Sequence, residues 1–237
     1  MLKEKICVYT CITGLYDDIK ELSFKEEGID YYCFTNNPEI TSKTWKVIQI
    51  EDAQLEDKVL ARKLKILGHP MIWENYNASL WIDGAFTIEK SIKEFLGKYC
   101  ENGKSLLAVP IHHERSSVFD EIDEVVRLKR ETKANALRIK RFLLSEKYED
   151  KLGLYETGIL YRRHNNEIVR QTMKIWFNMI EKYSTRDQIS FPYALQETKI
   201  RYQKIDINVF NNEYFFWHIH SPSNIDEKFQ NREAKKG

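Results

Sequence analysis

Residues 78–85 read ASLWIDGA and combine a short apolar run with a single carboxylate directly after it. An apolar run of this length between polar residues is typical of a strand buried on both faces, as in the centre of an α/β sheet. Asp83 stands where the strand ends, and the ligands of open α/β sheets bind beyond the carboxyl ends of the strands. The stretch therefore predicts a central strand, residues 78–82, that delivers one carboxylate suited to holding a metal ion.

Strand-like and helix-like segments alternate on both sides of this stretch. Further strands are predicted at residues 5–13, 30–35, 45–50, 105–111 and 155–161. Helical patterns cover residues 57–67, 91–99, 118–149 and 167–183. Strands divided by helices favour a mostly parallel central sheet with helices on both faces, which is an α/β fold.

The composition excludes several classes of protein. The chain has 237 residues, 42% hydrophobic and 31% charged, an ordinary globular balance and enough chain for a full α/β core. Lys and Arg total 37 against 36 Asp and Glu, a formal net charge of +1, so binding to nucleic acid is not expected. The nine glycines supply neither G-x-G-x-x-G nor G-x-x-x-x-G-K-[ST], which argues against a dinucleotide-dependent oxidoreductase and a P-loop kinase.

Cysteine usage and apolar segments bear on the compartment. The cysteines Cys7, Cys11, Cys33 and Cys100 show no C-x-x-C spacing, so buried free thiols are expected. The amino-terminal residues hold no signal-peptide core, and no stretch reaches the ~20 apolar residues of a membrane span. We therefore expect a cytoplasmic location.

Two further groups of polar residues are placed at strand ends. Thr10 and Thr13 close the first strand, and Glu156, Thr157 and Gly158 lie within the strand that follows the long helical segment. Because ligands gather at one edge of such a sheet, we expect these residues near the carboxylate described above.

The helix predicted at residues 57–67 carries a basic stripe. Lys58, Arg62, Lys65 and His69 are spaced i, i+4, i+7 and i+11, which places them on one helix face. Such a face could bind a diphosphate, and a solvated outer face would give the same pattern. Both interpretations stay open at this point.

Five segments, in order, resemble the TOD/MUCI-type glycosyltransferase domain family. They are VYTCITGLYDDIKE (8–21), DYYCFTN (30–36), ARKLKILGHP (61–70), YNASLWIDGAFTI (76–88) and RDQISFPY (186–193), and the resemblance covers about residues 6–220. It implies a GT-A-like fold similar to that of glycogenin-type glycosyltransferases, with a nucleotide-sugar donor, a divalent metal and a saccharide acceptor. The expected organisation is one GT-A-like domain at residues 1–220, with a helical insert at about 118–150 and a polar tail at 221–237.

The resemblance also suggests how the metal and the donor are bound. GT-A enzymes use Asp-x-Asp to hold Mn²⁺ or Mg²⁺ against the donor diphosphate, whereas this chain has Ala85 at the second ligand position. Asp83 is expected to bind Mn²⁺ or Mg²⁺ together with a late histidine, His218 or His220. The predicted donor-binding residues are Thr10, Thr13, Arg62, Lys65 and Asp83.

The acceptor side is assigned in the same way. The H-x-R element of the family maps onto His113 and Arg115. In other GT-A enzymes a late carboxylate faces the acceptor, which makes Asp187 the first candidate for a catalytic base and Glu156 the second. Asp187 could instead stabilise the start of a helix. The predicted acceptor-binding residues are His113, Arg115, Thr157, Gly158 and Gln188.

Residues 127–141 hold seven basic residues and one acid. This surface could contact an anionic membrane, where lipid-linked acceptors reside, or it could be a solvated face. The leading interpretation is a nucleotide-sugar-dependent hexosyltransferase of surface polysaccharide synthesis, cytoplasmic or peripheral at the inner membrane face, with a saccharide or lipid-linked glycan as acceptor. Because of Ala85, the alternative of a non-catalytic nucleotide-sugar or glycan-binding protein with a decayed metal site stays open.

Overall fold

The computed structural model describes residues 5–51 and 54–218. The strands are β1 (Ile6–Ile12), β2 (Asp30–Thr35), β3 (Lys46–Gln49), β4 (Ala78–Ile82), β5 (Phe86–Ile88), β6 (Leu107–Pro110), β7 (Ile159–Arg162), β8 (Gln203–Ile205) and β9 (Phe215–Trp217). The α-helices are α1 (Asp57–Leu67), α2 (Pro70–Asn75), α3 (Ile92–Tyr99), α4 (Val118–Arg127), α5 (Lys133–Ser145), α6 (Glu167–Lys182) and α7 (Asp187–Thr198).

The central layer is a seven-stranded sheet in the order β3-β2-β1-β4-β7-β6-β8, and β5 and β9 form a separate two-stranded sheet. The pairs β1–β2, β2–β3, β1–β4 and β6–β8 are parallel. The predicted α/β class with a mostly parallel sheet is therefore confirmed. The strands β2 and β4 and the helix α1 begin and end at the predicted residues.

The strand β7 differs from the prediction. It begins at Ile159, and it runs antiparallel to both β4 and β6. Glu156 and Thr157 therefore precede the strand. The N–H of Glu156 nevertheless donates to the carbonyl of Pro110 in β6 at 2.9 Å. An antiparallel strand starts at the edge of the sheet where its neighbours end. Glu156 and Thr157 therefore lie at the carboxyl edge as predicted, but before the start of β7 rather than within it.

Helices cover both faces of the sheet, as predicted. On one face α1, α2, α6 and α7 bury a core that includes Leu64, Trp176 and Phe191. On the other face α3 and the β5–β9 pair bury Phe95 and Phe215. The alternation of side chains along each strand supplies both cores, because successive residues point to opposite faces.

The helical segment 118–149 resolves into two helices, α4 and α5. Lys129 has a left-handed φ of 55°, and this turn ends α4 and redirects the chain. The pair packs on α6 and α7 through a third apolar cluster that includes Val125, Ile139 and Tyr193. The four cysteines are buried and free, as predicted. Among the described residues no helix is long and apolar enough to cross a membrane.

Candidate active site

Asp83 is fixed at the end of β4 by both its backbone and its side chain. Its N–H donates to the Gly158 carbonyl at 2.8 Å. The indole Nε1–H of Trp81 and the Nζ ammonium of Lys65 both donate to Asp83 Oδ1, at 2.7 and 3.0 Å. The side chain is 37% exposed, and Oδ2 accepts no hydrogen bond from any residue that the structure describes. One carboxylate oxygen is thus anchored by two donors, and the other lies beside Gly158.

Lys65 is 1% exposed and connects three polar groups. Its Nζ lies 3.0 Å from Asp83 Oδ1, 3.3 Å from Thr157 Oγ1 and 2.6 Å from Asp187 Oδ2. An ammonium has three N–H groups, so these contacts use all of them. The arrangement therefore gives no support to the predicted contact of Lys65 with donor phosphates.

Asp187 is the first residue of α7 and is 5% exposed. It accepts a hydrogen bond from Thr157 Oγ1 at 3.1 Å, and Arg62 Nη1 lies 3.6 Å from its Oδ2. Burial alone would raise its pKa, but Arg62 and Lys65 outweigh burial and hold the pKa of Asp187 well below its usual range. Asp187 is therefore a charged carboxylate whose Oδ2 contacts Thr157, Lys65 and Arg62.

Glu156 is also buried, but its partners are different. Gln188 Nε2 donates to Glu156 Oε2 at 2.6 Å. His113 Nδ1 and His112 Nε2 lie 3.2 and 3.3 Å from Oε1. Burial raises the pKa of Glu156, and the opposing effects of His113 and Gln188 are smaller. A carboxyl group with a raised pKa keeps a proton to a higher pH than an ordinary glutamate, which suits it to proton transfer.

His112 was missed by the sequence analysis, although it directly precedes a predicted residue. Its Nδ1 accepts the backbone N–H groups of Glu114 and Arg115, at 3.2 and 3.1 Å. Burial, followed by the charge of Arg115, lowers the pKa of His112 to about 4. The ring is therefore neutral at neutral pH, and because Nδ1 is an acceptor, its proton lies on Nε2, which is 3.3 Å from Glu156 Oε1.

Two of the predicted binding residues are committed to other contacts. Arg115 Nε donates to Glu121 Oε2 of α4 at 2.7 Å, so this guanidinium is tied to the helical insert. Thr13 Oγ1 donates to the Asp57 carbonyl at 2.8 Å and holds the start of α1. In contrast, Thr10 Oγ1 is buried and has no hydrogen-bond partner in the described part of the chain.

Three cations gather between α1 and the start of α7. Arg62 Nε donates to the Thr185 carbonyl at 3.2 Å. Burial lowers the pKa of Lys58, and the neighbouring charges of Arg186 and Arg62 lower it further. Lys58 and Arg186 form no ion pair with any described residue, so the positive charge at this end of the site is only partly offset, by Asp187 and Glu131.

The loop after β1 exposes an aromatic ring that the sequence analysis did not single out. Gly14 has a φ of 57°, and a Cβ there would collide with the carboxylate of Asp57, so this turn requires glycine. The turn leaves Leu15 and Tyr16 exposed at the carboxyl edge of the sheet. A tyrosine two residues after the glycine that follows a predicted strand is the sequence signal that could have identified Tyr16.

The structure brings His218 close to the loop that carries Asp83. The His218 N–H donates to the Ala85 carbonyl at 2.8 Å, and its ring Nε2 lies 3.1 Å from Thr87 Oγ1. Because Thr87 Oγ1 donates its proton to Glu89 at 2.8 Å, it accepts from Nε2–H, which leaves His218 Nδ1 as the basic nitrogen. His220 lies outside the described residues.

A second group of side chains is compatible with a divalent metal. His112, His113 and Glu156 each place one ligand atom within 4.8 Å of the others, but their arrangement does not indicate which metal. Glu156 already accepts a hydrogen bond from Gln188, and His112 Nδ1 already accepts two backbone N–H groups. A metal on His112 Nε2 would have to displace the proton that this nitrogen carries.

The comparisons with known proteins agree with this architecture. A family model described as TOD1/MUCI70, glycosyltransferase-like domain, matches residues 2–219. No curated protein matches the chain. The matched region includes every strand and helix from β1 to β9, and the mostly parallel seven-stranded sheet is compatible with a GT-A-like fold. The chain belongs to the TOD1/MUCI70 glycosyltransferase-like domain family.

Proposed function

We propose that this protein transfers a hexose from a nucleoside-diphosphate sugar to a saccharide or lipid-linked glycan acceptor, in the synthesis of a surface polysaccharide. The observation that carries the proposal is the meeting of three chemically distinct groups at one edge of the sheet. They are a partly exposed carboxylate at Asp83, the three cations Lys58, Arg62 and Arg186, which we call the cationic end, and a buried carboxyl group with a raised pKa at Glu156. Sugar transfer needs groups of these three kinds, to hold the diphosphate and to move a proton.

The donor is proposed to lie across the ends of β1 and β4. Lys58, Arg62 and Arg186 would bind the diphosphate, because they are the cations left without full compensation at this edge. The exposed ring of Tyr16 would stack on the base, and Thr10 Oγ1 would hydrogen-bond the ligand. Lys65 would act as a positioning residue, because its ammonium holds Asp83 Oδ1 and has no N–H group left for the donor.

The residues present fit a divalent cation such as Mn²⁺ or Mg²⁺. Asp83 Oδ2 accepts no hydrogen bond from the described residues and would be one ligand, and Nδ1 of His218, whose backbone is bound to Ala85, would be the other. With Ala85 in place of a second carboxylate, this chain offers one oxygen and one nitrogen, so diphosphate oxygens and water must complete an octahedral set. When bound, the cation would offset charge on the leaving diphosphate.

Glu156 is the better placed of the two candidate bases. In an inverting reaction the acceptor hydroxyl oxygen attacks the anomeric carbon, the bond from that carbon to the diphosphate oxygen breaks, and the base takes the hydroxyl proton. Glu156 can take a proton because burial raises its pKa, whereas the pKa of Asp187 is held low by Lys65 and Arg62. In a retaining reaction the leaving-group oxygen can take the proton, and Glu156 would orient the acceptor.

Binding at an anionic membrane is proposed for the outer face of α5. Lys133, Leu137, Arg141 and Leu144 are spaced i, i+4, i+8 and i+11, and all four are exposed. Lys133 and Arg141 form no ion pair with described residues. Exposed leucines between uncompensated cations suit a surface of anionic lipid.

Vesicle sedimentation tests this membrane contact. Phosphatidylcholine vesicles that contain phosphatidylglycerol should sediment the protein, and pure phosphatidylcholine vesicles should not. Replacing both Leu137 and Leu144 by Ser should weaken the binding, and so should raised salt. Equal sedimentation by the two kinds of vesicle would contradict the proposal.

A panel of nucleotide sugars tests the function itself. UDP-, GDP-, ADP- and dTDP-sugars should be scored by thermal shift and by donor hydrolysis, each with and without Mn²⁺. A true donor at ~100 Kd should add roughly 2.7 kcal/mol of apparent stability, and it should be hydrolysed slowly. Stabilisation with no hydrolysis and no transfer would instead identify a nucleotide-sugar-binding protein, and no response to any donor would contradict the proposal.

A further inference from the structure

Three aromatic rings extend the site from Glu156 toward β9. His113 Nδ1 lies 3.2 Å from Glu156 Oε1. The ring centroids of His113 and Phe210 are 5.1 Å apart, and those of Phe210 and Trp217 are also 5.1 Å apart. Both ring pairs meet edge to face, a favourable geometry for aromatic contacts. We call His113, Phe210 and Trp217 the aromatic strip.

Phe210 is exposed although its loop is held in place. The side chain is 44% exposed. Its backbone N–H donates to Asn208 Oδ1 at 2.9 Å, and Asn211 N–H donates to the Asn208 carbonyl at 3.0 Å. A single exposed Phe needs no explanation, but this ring is continuous with two others and with a buried carboxyl group.

The far end of the strip returns to the loop that carries Asp83. Trp217 stands opposite Phe86 in the β5–β9 pair. A Cβ on Gly158 would lie 3.1 Å from the ring of Phe86 and 3.2 Å from Asp83 Oδ2. One end of the strip therefore lies at the proposed base, and the other lies opposite Phe86, whose ring is close to Gly158.

The strip and Tyr16 lie on opposite sides of β4. His113 follows β6, which is two strands from β4 on one side, and Tyr16 follows β1 on the other. Next to the strip lie the carboxyl groups of Glu156 and Glu114, the latter 3.7 Å from His113 Nε2. A phosphate would be repelled here, whereas an uncharged ring with hydroxyl groups would find both an apolar surface and hydrogen-bond partners.

We propose that the aromatic strip is the acceptor subsite, where the C–H face of an uncharged pyranose ring stacks on the exposed ring of Phe210, which Trp217 supports edge to face. A pyranose has such an apolar face and hydroxyl groups at its edge, which here would reach His113, Glu156 and Gln188. The inference rests on the proposed function. It adds Phe210 and Trp217 to the acceptor side, neither of which the sequence identified.

Saturation-transfer NMR tests the subsite without knowledge of the natural acceptor. The saccharide probes are the methyl glycosides of glucose, galactose, mannose and N-acetylglucosamine, and the donor-side probes are UDP, GDP and ADP. Stacking recognises a C–H face rather than one sugar, so several glycosides should show weak binding with transfer concentrated on the protons of one face. Phe210→Ala should weaken glycoside binding roughly tenfold or more, and Phe210→Tyr should retain it.

Phe216→Ala is the matched control, because Phe216 is 57% exposed and points to the other face of β9. It should leave glycoside binding unchanged, and both alanine variants should melt close to the wild type. The inference is overturned if no glycoside receives saturation, if Phe210→Ala binds normally, or if Phe216→Ala loses binding equally. Glycoside binding without any nucleotide binding would support the subsite and contradict the donor side of the proposed function.

Discussion

Asp187 and Glu156 are two buried carboxylates at one sheet edge, and their electrostatic surroundings are opposite. The same two backbone segments hold both, because Thr157 donates to Asp187 and Gln188 donates to Glu156. Asp187 faces the cations Lys65 and Arg62, and its pKa is lowered. Glu156 faces His112, His113 and an amide, and its pKa is raised by burial. The position of an acidic residue at a strand or helix end therefore does not define its chemical role, because its charged neighbours decide its pKa.

The largest effect is expected from removing the cation that holds Asp187. Lys65→Met should leave Asp83 and Asp187 with one buried positive charge fewer and should cost ~3–5 kcal/mol of unfolding free energy. Urea denaturation measures this loss. The control is Lys98→Met on α3, because that lysine is exposed and pairs at the surface with Glu213. If both variants were equally stable, Asp187 would not depend on Lys65 for its charge.

Asp187→Asn should come next, and its effect should also be on stability. The variant keeps the shape of the side chain but leaves Lys65 and Arg62 with one negative charge fewer, at a cost on the order of 3 kcal/mol. Any turnover lost should be recovered at lower temperature, where the variant is folded. A stable variant whose kcat falls by ~10² or more would show instead that Asp187 takes part in the chemistry.

Glu156→Gln should behave in the opposite way. It should lower kcat by ~10² or more in an inverting reaction, because a general base is lost. The melting temperature should be kept, because an amide is buried more easily than a carboxylate. Glu149→Gln, an exposed glutamate on the loop before β7, should leave kcat unchanged. Normal turnover in Glu156→Gln would remove Glu156 from the mechanism.

The smallest effect concerns pH and His112. The folded ring has a pKa of about 4, and an unfolded histidine has one of ~6.5. As the pH falls through this window, the unfolded chain takes up a proton that the folded ring does not, so stability falls. The groups that face the ring are Arg115, His113, Glu114 and Glu156.

His112→Asn should reduce this pH dependence between pH ~6.5 and ~4. Urea midpoints of the wild type and the variant at pH 7 and pH 5 give the comparison. A wild-type protein whose stability falls no more than that of the variant would show that His112 is protonated in the folded state.

The fold could be predicted from the sequence because its signals are local. The segment ASLWI is apolar throughout and ends at Asp83, and the stripe of α1 is followed by Gly68 and Pro70, so both elements have clear ends. The direction of β7 could not be predicted, because a short apolar strand reads the same in a parallel and an antiparallel sheet. The start of β7 is fixed by contacts with β4 and β6, which are distant in the chain.

The placement of the predicted residues at the sheet edge follows from the sequence more readily than their contacts do. The residues at the strand ends do converge, since the sheet brings its carboxyl edge together. The roles of Lys65 and Asp187 depend on an ion pair between α1 and α7, and no local pattern reports such a contact. His112 and Phe210 were missed because their contacts also depend on the folded structure. The ring nitrogen of His112 is bound to the backbone, and Phe210 is exposed in a polar loop.

The most direct test is to titrate both carboxyl groups by NMR in protein labelled with ¹³C at the side-chain carboxyl carbons. Spectra of Glu156→Gln and Asp187→Asn assign the two signals. We expect Glu156 to titrate above the ordinary glutamate value of ~4.3, and Asp187 to remain ionised well below the ordinary aspartate value of ~3.9. A Glu156 pKa at or below its ordinary value, or an Asp187 that titrates above Glu156, would contradict the division of roles between them.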